Sequence, residues 1–389
     1  MPHLHIKEFK EIEHSSKGDI EFGFVASNIS HKDEKLIYTK LEDREFFLLL
    51  KEQEDKTLLK IDKVTKPATT YLSHRALLEY ADMANLEVLH SNVIANSKSI
   101  HYDEMSYLKD IEFFSDGFSD SRELRVEVGF GSGRHLLHQA VNNPNILFIG
   151  LEIHTPSLEQ VLKQINIQNI KNLYLLNYDA RLFLEMLKSN SVGRIYVHFP
   201  VPWDKKPSRR VISKEFIDEA KRVLMVGGRV ELRTDSDNYY SYSYETMMEL
   251  ERAELYINKN KDIAISSKYE DRWKRLNKNI YDLTLVNDEH SKDIAFDYNF
   301  DDIDVSLSKD KLFELHRFFK KTDEAFINIE RVYELRDGVL LRVAMGSFAR
   351  PQSIYMLIKD AKARYFAQKP INSKASLVSH NLIREVLNG

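Results

Sequence analysis

Between Leu124 and Val286, short apolar segments alternate with segments of helical length, and this alternation constrains the fold more than any other feature. Because parallel strands need long crossover connections, such alternation is typical of a parallel sheet covered by helices. We predict strands at residues 124–128, 146–151, 173–176, 195–199, 230–234 and 280–286. We predict helices at residues 134–142, 156–164, 180–187, 213–224 and 239–251. The predicted fold is therefore α/β, with a doubly wound, mostly parallel sheet.

The sequence on either side of this region predicts smaller domains that contain sheets. Short β-like segments lie at 20–26, 35–39 and 45–51, and a helical pattern follows at 73–85. Further β-like segments lie at 326–333, 339–345 and 353–359, with a closing helix at 378–386. We predict an N-terminal β-rich domain at 1–100, the α/β domain at 101–293 and a C-terminal α+β domain at 294–389. We find no internal repeat in the sequence.

Composition restricts the compartment and the partners. Cysteine is absent from the 389 residues, which excludes disulfides and cysteine-based metal sites and is consistent with a reducing compartment. No apolar segment approaches the roughly 18 to 20 residues that span a bilayer, and the start lacks the regions of a signal peptide. The net charge of -4 means that binding to a nucleic acid needs a local basic patch. We expect a soluble, cytoplasmic protein without a membrane partner, and the oligomeric state stays open.

A glycine-rich turn follows the first predicted strand of the α/β domain. Gly129, Gly131 and Gly133 permit positive φ and close approach of a ligand, and the next helix offers free N–H groups. A dinucleotide fingerprint would place its third glycine at Arg134. Glu127, two residues before the turn, suits a cationic ligand. The pattern favours S-adenosylmethionine, which carries an ammonium and a sulfonium and no phosphate.

Two further acids follow the next two predicted strands. Glu152 ends the second strand, where a carboxylate can accept both ribose hydroxyls, and Asp179 follows the third, where it can accept from the adenine amino group. Ligands of such sheets bind at the carboxyl ends of the strands. The alternative for each acid is a solvated charge or a helix cap, and Asp179 precedes a helical segment. Together with Glu127 they predict one donor site.

The fourth predicted strand leads into Phe199-Pro-Val-Pro-Trp203, and four cations follow this loop. Two prolines stiffen the loop and Trp203 offers a stacking surface. The cations are Lys205, Lys206, Arg209 and Arg210. They predict an edge that faces RNA, and the alternative is a stiffened turn beside a solvated charge cluster.

The order of these motifs resembles the bacterial tRNA (guanine-N7-)-methyltransferase family. The similarity covers Leu124 to about Leu285, and its motifs are Glu127-Val-Gly-Phe-Gly-Ser-Gly, Gly150-Leu-Glu-Ile-His, Asp179-Ala, Phe199-Pro-Val-Pro-Trp, Arg209-Arg, Thr234-Asp and Ser267-Lys-Tyr-Glu. The resemblance implies a Rossmann-like methyltransferase domain, S-adenosylmethionine as the donor and the variable-loop guanosine of tRNA as the acceptor.

The resemblance also implies roles for individual residues. It places Glu127, Glu152 and Asp179 at the cofactor together with the three glycines of the turn. At the RNA substrate it places Lys205, Asp235, Ser267, Lys268, Tyr269 and Glu270, and we assign Lys206, Arg209 and Arg210 to the RNA backbone. The alternative for Asp235 is a helix cap, and for 267–270 an exposed loop.

The chain departs from the family pattern at two places. The family has an aspartate between the two prolines of the loop, where this chain has Val201, which cannot accept a hydrogen bond. Asn277 and Lys278 stand where the family usually has a glycine and a histidine. Asp235 is therefore the candidate catalytic residue that steadies the guanine, and a neighbouring acid such as Asp204 is the alternative. Guanine N7 has a lone pair and no proton, so methyl transfer to it needs orientation and no general base.

Three other functions stay open at this point. Val201 allows an RNA-binding protein that keeps the fold without the activity. An amino methyltransferase is disfavoured, because the loop 199–203 has a residue between its prolines and no amide or acid before them. A dehydrogenase is disfavoured by Arg134. We expect no metal, since His135 and His138 share a helix face without a third ligand nearby.

Overall fold

The computed structural model describes residues 2–12, 14–94, 106–115, 117–263, 265, 270 and 275–389. It divides into two compact units. The central unit is Ile100–Asp297, and the terminal unit combines Met1–Ser99 with Tyr298–Gly389. The first and last parts of the chain therefore fold together.

The described strands and helices are numbered here in chain order. The strands are β1 (His3–Ile6), β2 (Ser15–Lys17), β3 (Ile20–Asn28), β4 (Glu34–Leu41), β5 (Arg44–Glu52), β6 (Thr57–Ile61), β7 (Val88–Ser91), β8 (Leu124–Val128), β9 (Leu147–Leu151), β10 (Leu173–Leu176), β11 (Val192–His198), β12 (Leu224–Thr234), β13 (Glu254–Lys259), β14 (Tyr281–Val286), β15 (Ile303–Asp304), β16 (Phe318–Lys321), β17 (Phe326–Leu335), β18 (Gly338–Gly346), β19 (Pro351–Lys359) and β20 (Lys362–Phe366). The α-helices are α1 (Thr70–Met83), α2 (Arg134–Asn142), α3 (Thr155–Ile167), α4 (Ala180–Phe183), α5 (Lys214–Val223), α6 (Asp237–Met248), α7 (Lys309–Glu314) and α8 (Lys374–Asn388).

The central unit has the α/β organisation that its alternating pattern predicts. Its sheet has the order β10-β9-β8-β11-β12-β14-β13. Neighbours from β10 to β12 are parallel, and β14 is antiparallel to both β12 and β13. The strand order reverses between β8 and β11, and the crevice at such a reversal is where doubly wound sheets bind ligands.

The predicted strands at 124–128 and 173–176 coincide with β8 and β10, because both are short apolar segments that the sheet buries. The sequence analysis did not predict β13. Every residue of β13 is exposed or partly exposed, so its side chains carry no apolar alternation.

Gly133 fixes the packing of two helices beside this sheet. It has φ +68°, and a Cβ there would overlap Cγ2 of Val161 on α3. A glycine therefore allows the start of α2 to approach α3 closely, and the turn before α2 keeps its position over the strand ends.

The terminal unit contains one largely antiparallel sheet of the order β15-β20-β19-β18-β17-β3-β4-β5-β6-β1-β7. The sequence analysis treats its two parts as separate domains, but β3 pairs with β17 through Asn28 with Tyr333 and Ser27 with Glu334. Each part runs through four consecutive strands and then a helix, β3 to β6 with α1 and β17 to β20 with α8. The structure thus contains a repeat of elements that the sequence analysis does not find.

A buried polar cluster stabilises the junction between the two parts. Oε1 of Glu34 accepts from Nδ2 of Asn28 at 2.9 Å and from the hydroxyl of Tyr333 at 2.8 Å. Burial and the Glu34 carboxylate both raise the pKa of Tyr333, so its hydroxyl stays protonated and donates. Nearby, the hydroxyl of Tyr355 donates to Asp62 at 3.2 Å. The two tyrosine bonds join residues that are 299 and 293 positions apart in the chain.

Replacing Tyr333 by phenylalanine removes one donor from the buried Glu34 carboxylate. We expect Y333F to lower the free energy of unfolding by about 1–2 kcal/mol, the usual cost of such a loss. Urea unfolding followed by far-ultraviolet circular dichroism measures the change. Tyr244, which is 37% exposed, provides the control Y244F, which is expected to unfold like the parent protein. Equal stability of the parent and Y333F would show that this cluster does not hold the junction.

Candidate active site

The glycine turn and Glu152 are joined by a hydrogen bond. The turn follows β8, and Gly129, Gly131 and Gly133 all have positive φ. The N–H of Gly131 donates to Oε2 of Glu152 at 2.9 Å, and the N–H of His154 donates to Oε1 at 2.9 Å. Glu152 is thus held at the end of β9 against the turn, and its carboxylate keeps lone pairs for further donors.

Glu127 lies beside the turn and is almost fully buried. It is opposite Gly150 in the pairing of β8 with β9, and it is 3% exposed. Its Oε2 lies 2.7 Å from Nδ1 of His135, which is in the first turn of α2. From the sequence, His135 is expected to be a packed or surface histidine and not a metal ligand, and its pair with Glu127 is not predicted, because sequence spacing does not show contacts between different elements.

Asp179 follows β10 at the same edge of the sheet. Its Oδ1 accepts from the N–H of Arg181 at 3.0 Å, so the carboxylate caps α4. The guanidinium of Arg181 also lies 2.6 Å from Oδ2. The helix-cap alternative is therefore present in the structure, and the contact with adenine stays a prediction.

The loop after β11 is held by Arg210. The residue is 6% exposed, its Nε donates to the carbonyl of Pro202 at 2.8 Å, and its guanidinium lies 4.5 Å from the ring centre of Tyr242. We assigned Arg210 to the RNA backbone, but a side chain enclosed in this way holds the loop itself. Val201, in contrast, is 59% exposed.

The other cations of this loop face solvent. Lys205, Lys206 and Arg209 are exposed, and the guanidinium of Arg209 lies 5.1 Å from the ring centre of Trp203. Such a stacked cation keeps its charge available to an anion. These three side chains retain the exposure that the predicted contacts with RNA need.

Asp235 forms an ion pair with Lys278. Nζ of Lys278 lies 2.9 Å from Oδ2 of Asp235, whose side chain is 19% exposed. Ser236, not Asp235, caps α6, because its Oγ accepts from the N–H of Tyr239 at 3.2 Å. Asn277 has φ +50°, a conformation that glycine and asparagine adopt most readily, which explains why asparagine replaces the family's glycine there.

Glu270 is buried at the end of the segment that the resemblance places at the substrate. Nη2 of Arg233 donates to Oε1 of Glu270 at 2.9 Å and to the carbonyl of Lys261 at 3.0 Å. Nη1 of Arg233 donates to Asp282 at 2.5 Å. Burial raises the pKa of Asp282, although Arg233 opposes that shift. Glu270 is thus bound to Arg233 of β12, which also binds Asp282 of β14.

Ser267, Lys268 and Tyr269 lie outside the described residues, so their predicted contacts with the substrate stay predictions. Among the residues that the structure does describe, no group of three or more His, Asp or Glu side chains is arranged to hold a metal ion. Within the same part of the chain, no helix combines the length and the apolar character needed to cross a membrane.

The doubly wound sheet, the glycine turn and the strand-end carboxylates define the class of the central unit as a methyltransferase domain. A family model described as "Putative methyltransferase" matches residues 121–283. The chain is 43% identical to the tRNA (guanine-N(7)-)-methyltransferase of Wolinella succinogenes, and the match covers 94% of each chain. It is 41% identical to the enzyme of that name from Campylobacter fetus subsp. fetus, covering 92% of this chain and 91% of the relative.

A further relative of the same name, from Campylobacter jejuni subsp. jejuni serotype O:23/36, is 37% identical and covers 100% of this chain and 98% of its own. The chain therefore belongs to the tRNA (guanine-N(7)-)-methyltransferase family, as the motifs predict. The sequence analysis limits the resemblance to Leu124–Leu285, and this limit is wrong, since these relatives align with the terminal unit as well.

Replacing Arg233 by methionine removes the cation between two buried carboxylates. We expect R233M to lower the free energy of unfolding by about 3–5 kcal/mol, as for other buried ion pairs that lose one partner. The matched control is R252M, because Arg252 is 81% exposed in its pair with Asp288. Urea unfolding followed by tryptophan fluorescence suits this test, since Trp203 and Trp273 both lie in the central unit.

The loss of stability in R233M also depends on pH. Burial raises the pKa of Asp282 and Arg233 opposes that shift, so without the guanidinium this carboxyl has a still higher pKa in the folded chain and favours folding at low pH. The difference from the parent protein is expected to be smaller at about pH 5 than at about pH 8. A difference that does not change with pH would contradict a network of ionised carboxylates.

Proposed function

We propose that this methyltransferase transfers the methyl group of S-adenosylmethionine to N7 of the variable-loop guanosine of tRNA. The alignment with named tRNA (guanine-N(7)-)-methyltransferases over nearly the whole chain carries the proposal. The hydrogen bond between the glycine turn and Glu152 supports the position of the donor.

The residues around the turn fit this donor. A Cβ at Gly129 would meet no atom within 4 Å, so the backbone of the turn faces open space. Glu127 would attract the ammonium of the donor, Glu152 would accept its ribose hydroxyls, and Asp179 would accept from its adenine amino group. The bound donor supplies an electrophilic methyl group on a sulfonium. The three carboxylates fix its position at the strand ends without contributing a base.

Asp235 is our candidate for holding the guanine. Its carboxylate can accept from N1–H and the exocyclic amino group of guanine, which leaves N7 to attack the methyl carbon. Nζ of Lys278 already contacts this carboxylate at 2.9 Å and orients it. Since Val201 carries no carboxylate, catalysis would depend on orientation and on negative potential near a purine that becomes cationic.

The exposed cations Lys205, Lys206 and Arg209 would contact tRNA, Lys205 at the substrate nucleotide and the other two at phosphates. The loop that presents them is held by the buried Arg210. We therefore replace the predicted backbone contact of Arg210 by a role in fixing the loop.

Methyl transfer from radiolabelled donor to unmodified tRNA tests the proposal directly. The product nucleoside is expected to be N7-methylguanosine, and a transcript with 7-deazaguanosine in the variable loop should accept no label, because a C–H group replaces the attacking nitrogen. Calorimetry measures whether the protein binds the donor, and this distinguishes the enzyme from an RNA-binding protein without the activity. Binding of tRNA without binding of the donor would favour that alternative over the proposed enzyme.

Asp235 provides a test of guanine recognition. We expect D235N to lower kcat/KM for tRNA by about 10- to 100-fold, the range for losing a charged hydrogen-bond partner. The dissociation constant for the donor should not change. D218N is the control, since Asp218 forms an exposed pair with Lys214 on α5. Full activity of D235N would remove this residue from the proposed site.

Contacts with phosphates predict a specific salt dependence. The slope of log K against log salt concentration for tRNA binding is expected to fall by about 0.7–0.9 in each of K206A and R209A. K214A, on the exposed side of α5, should leave the slope unchanged. Gel-shift titrations at several salt concentrations give the slopes. Slopes equal to that of the parent protein would place these cations away from the RNA.

A further inference from the structure

The contact between Glu127 and His135 is enclosed by the protein. Their side chains are 4% and 11% exposed, and Nδ1 of His135 lies 2.7 Å from Oε2 of Glu127. Because a carboxylate only accepts, Nδ1 carries the hydrogen of this bond. The other ring nitrogen, Nε2, lies 3.3 Å from the amide nitrogen of Gln139 on the same helix. One oxygen of Glu127 is thus committed to α2.

Several polar side chains of the neighbouring strands contact His135 or interact with its charge. The rings of Tyr196 and His198 on β11 have centres 4.8 and 4.5 Å from that of His135. Glu127 on β8 and Glu231 and Arg233 on β12 are the charged side chains that act on it. Burial and the charges of His135 and Arg233 hold the pKa of His198 well below its usual value. His198 is therefore neutral, and His135, whose pKa is raised, is the imidazole of this pair that takes up the proton.

The charge of His135 depends on pH in an accessible range. Burial by itself lowers the pKa of His135, but the Glu127 carboxylate outweighs this effect and raises the pKa above its ordinary value. When His135 is protonated, the pair with Glu127 has no net charge. When His135 loses the proton from Nε2, the bond from Nδ1–H remains and the pair carries one negative charge.

We propose that His135 is a positioning residue of the donor site, which orients the Glu127 carboxylate toward the glycine turn and sets the charge that the donor's ammonium meets. This inference rests on the proposed function, because it takes an aminoacyl sulfonium as the ligand at the turn. Neutral His135 leaves the negative charge of Glu127 available to the ammonium, and protonated His135 cancels it. Donor affinity therefore rises as pH rises through the titration of His135.

Two substitutions separate the hydrogen bond from the charge. The side-chain amide of H135N can donate to Glu127 as Nδ1 does, and it does not titrate. H135L has neither the donor nor the charge. Exposed His290 provides the control variant H290N.

Calorimetric titration with S-adenosylhomocysteine measures the effect, because this probe has the same ammonium and transfers no methyl group. Between about pH 5.5 and 7.5, below the titration of an α-amino group, the dissociation constant of the parent protein is expected to fall about fivefold or more. In H135N the dissociation constant should stay constant over this range. In H135L the dissociation constant should be larger than in the parent protein at the upper end of the range. H290N should follow the parent protein, and gel shifts should show unchanged tRNA affinity in all variants.

The outcomes distinguish this inference from the function on which it rests. A pH dependence in H135N equal to that of the parent protein would overturn the role of His135 while leaving the methyltransferase intact. Absence of probe binding by the parent protein at every pH would instead refute the proposed donor site. Should H135L fail to fold, the profile of H135N still decides the question.

Discussion

The hydrogen bond from the N–H of Gly131 to Glu152 is the constraint on which the donor site depends. It ties the turn after β8 to the end of β9, and the parallel pairing of these strands sets Glu127 opposite Gly150. Backbone register therefore sets where the two residues lie, and hydrogen bonds to His135 and to Gly131 orient their carboxylates. A glycine at each positive-φ position is what lets the turn reach this carboxylate.

The carboxylates at this edge of the central unit already have partners. Described pairs are Glu127 with His135, Asp179 with Arg181, Asp235 with Lys278 and Glu270 with Arg233. The pairs differ in burial, so the loss of the cationic partner has a different energetic cost in each pair. A buried carboxylate that loses its cation is strongly destabilised, whereas an exposed one is solvated by water. Loss of Arg233 would therefore leave a buried charge on Glu270, whereas the more exposed Asp179 and Asp235 would be solvated by water without their partners.

The local sequence pattern predicted the strands, the glycine turn and the acids of the candidate site. It did not predict the contacts between residues that are distant in the sequence. The apolar segments of β8 and β10 and the glycine turn at 129–133 are local signals, so the position of Glu127, Glu152 and Asp179 at strand ends followed from them. The partners His135, Arg233 and Lys278 approach from other elements, which no periodicity shows. The positive φ of residue 277 could have been predicted from the sequence, because asparagine is enriched at positive φ.

The terminal unit shows why its two parts belong to one fold. Asn28 with Tyr333 and Ser27 with Glu334 join β3 to β17, and the N–H of Ile29 donates to the carbonyl of Val332 beside them at 3.1 Å. The buried Glu34 adds side-chain bonds from both parts at this junction. The match to the Wolinella succinogenes relative covers 94% of this chain, so the part of the chain that the two share includes strands on both sides of this junction.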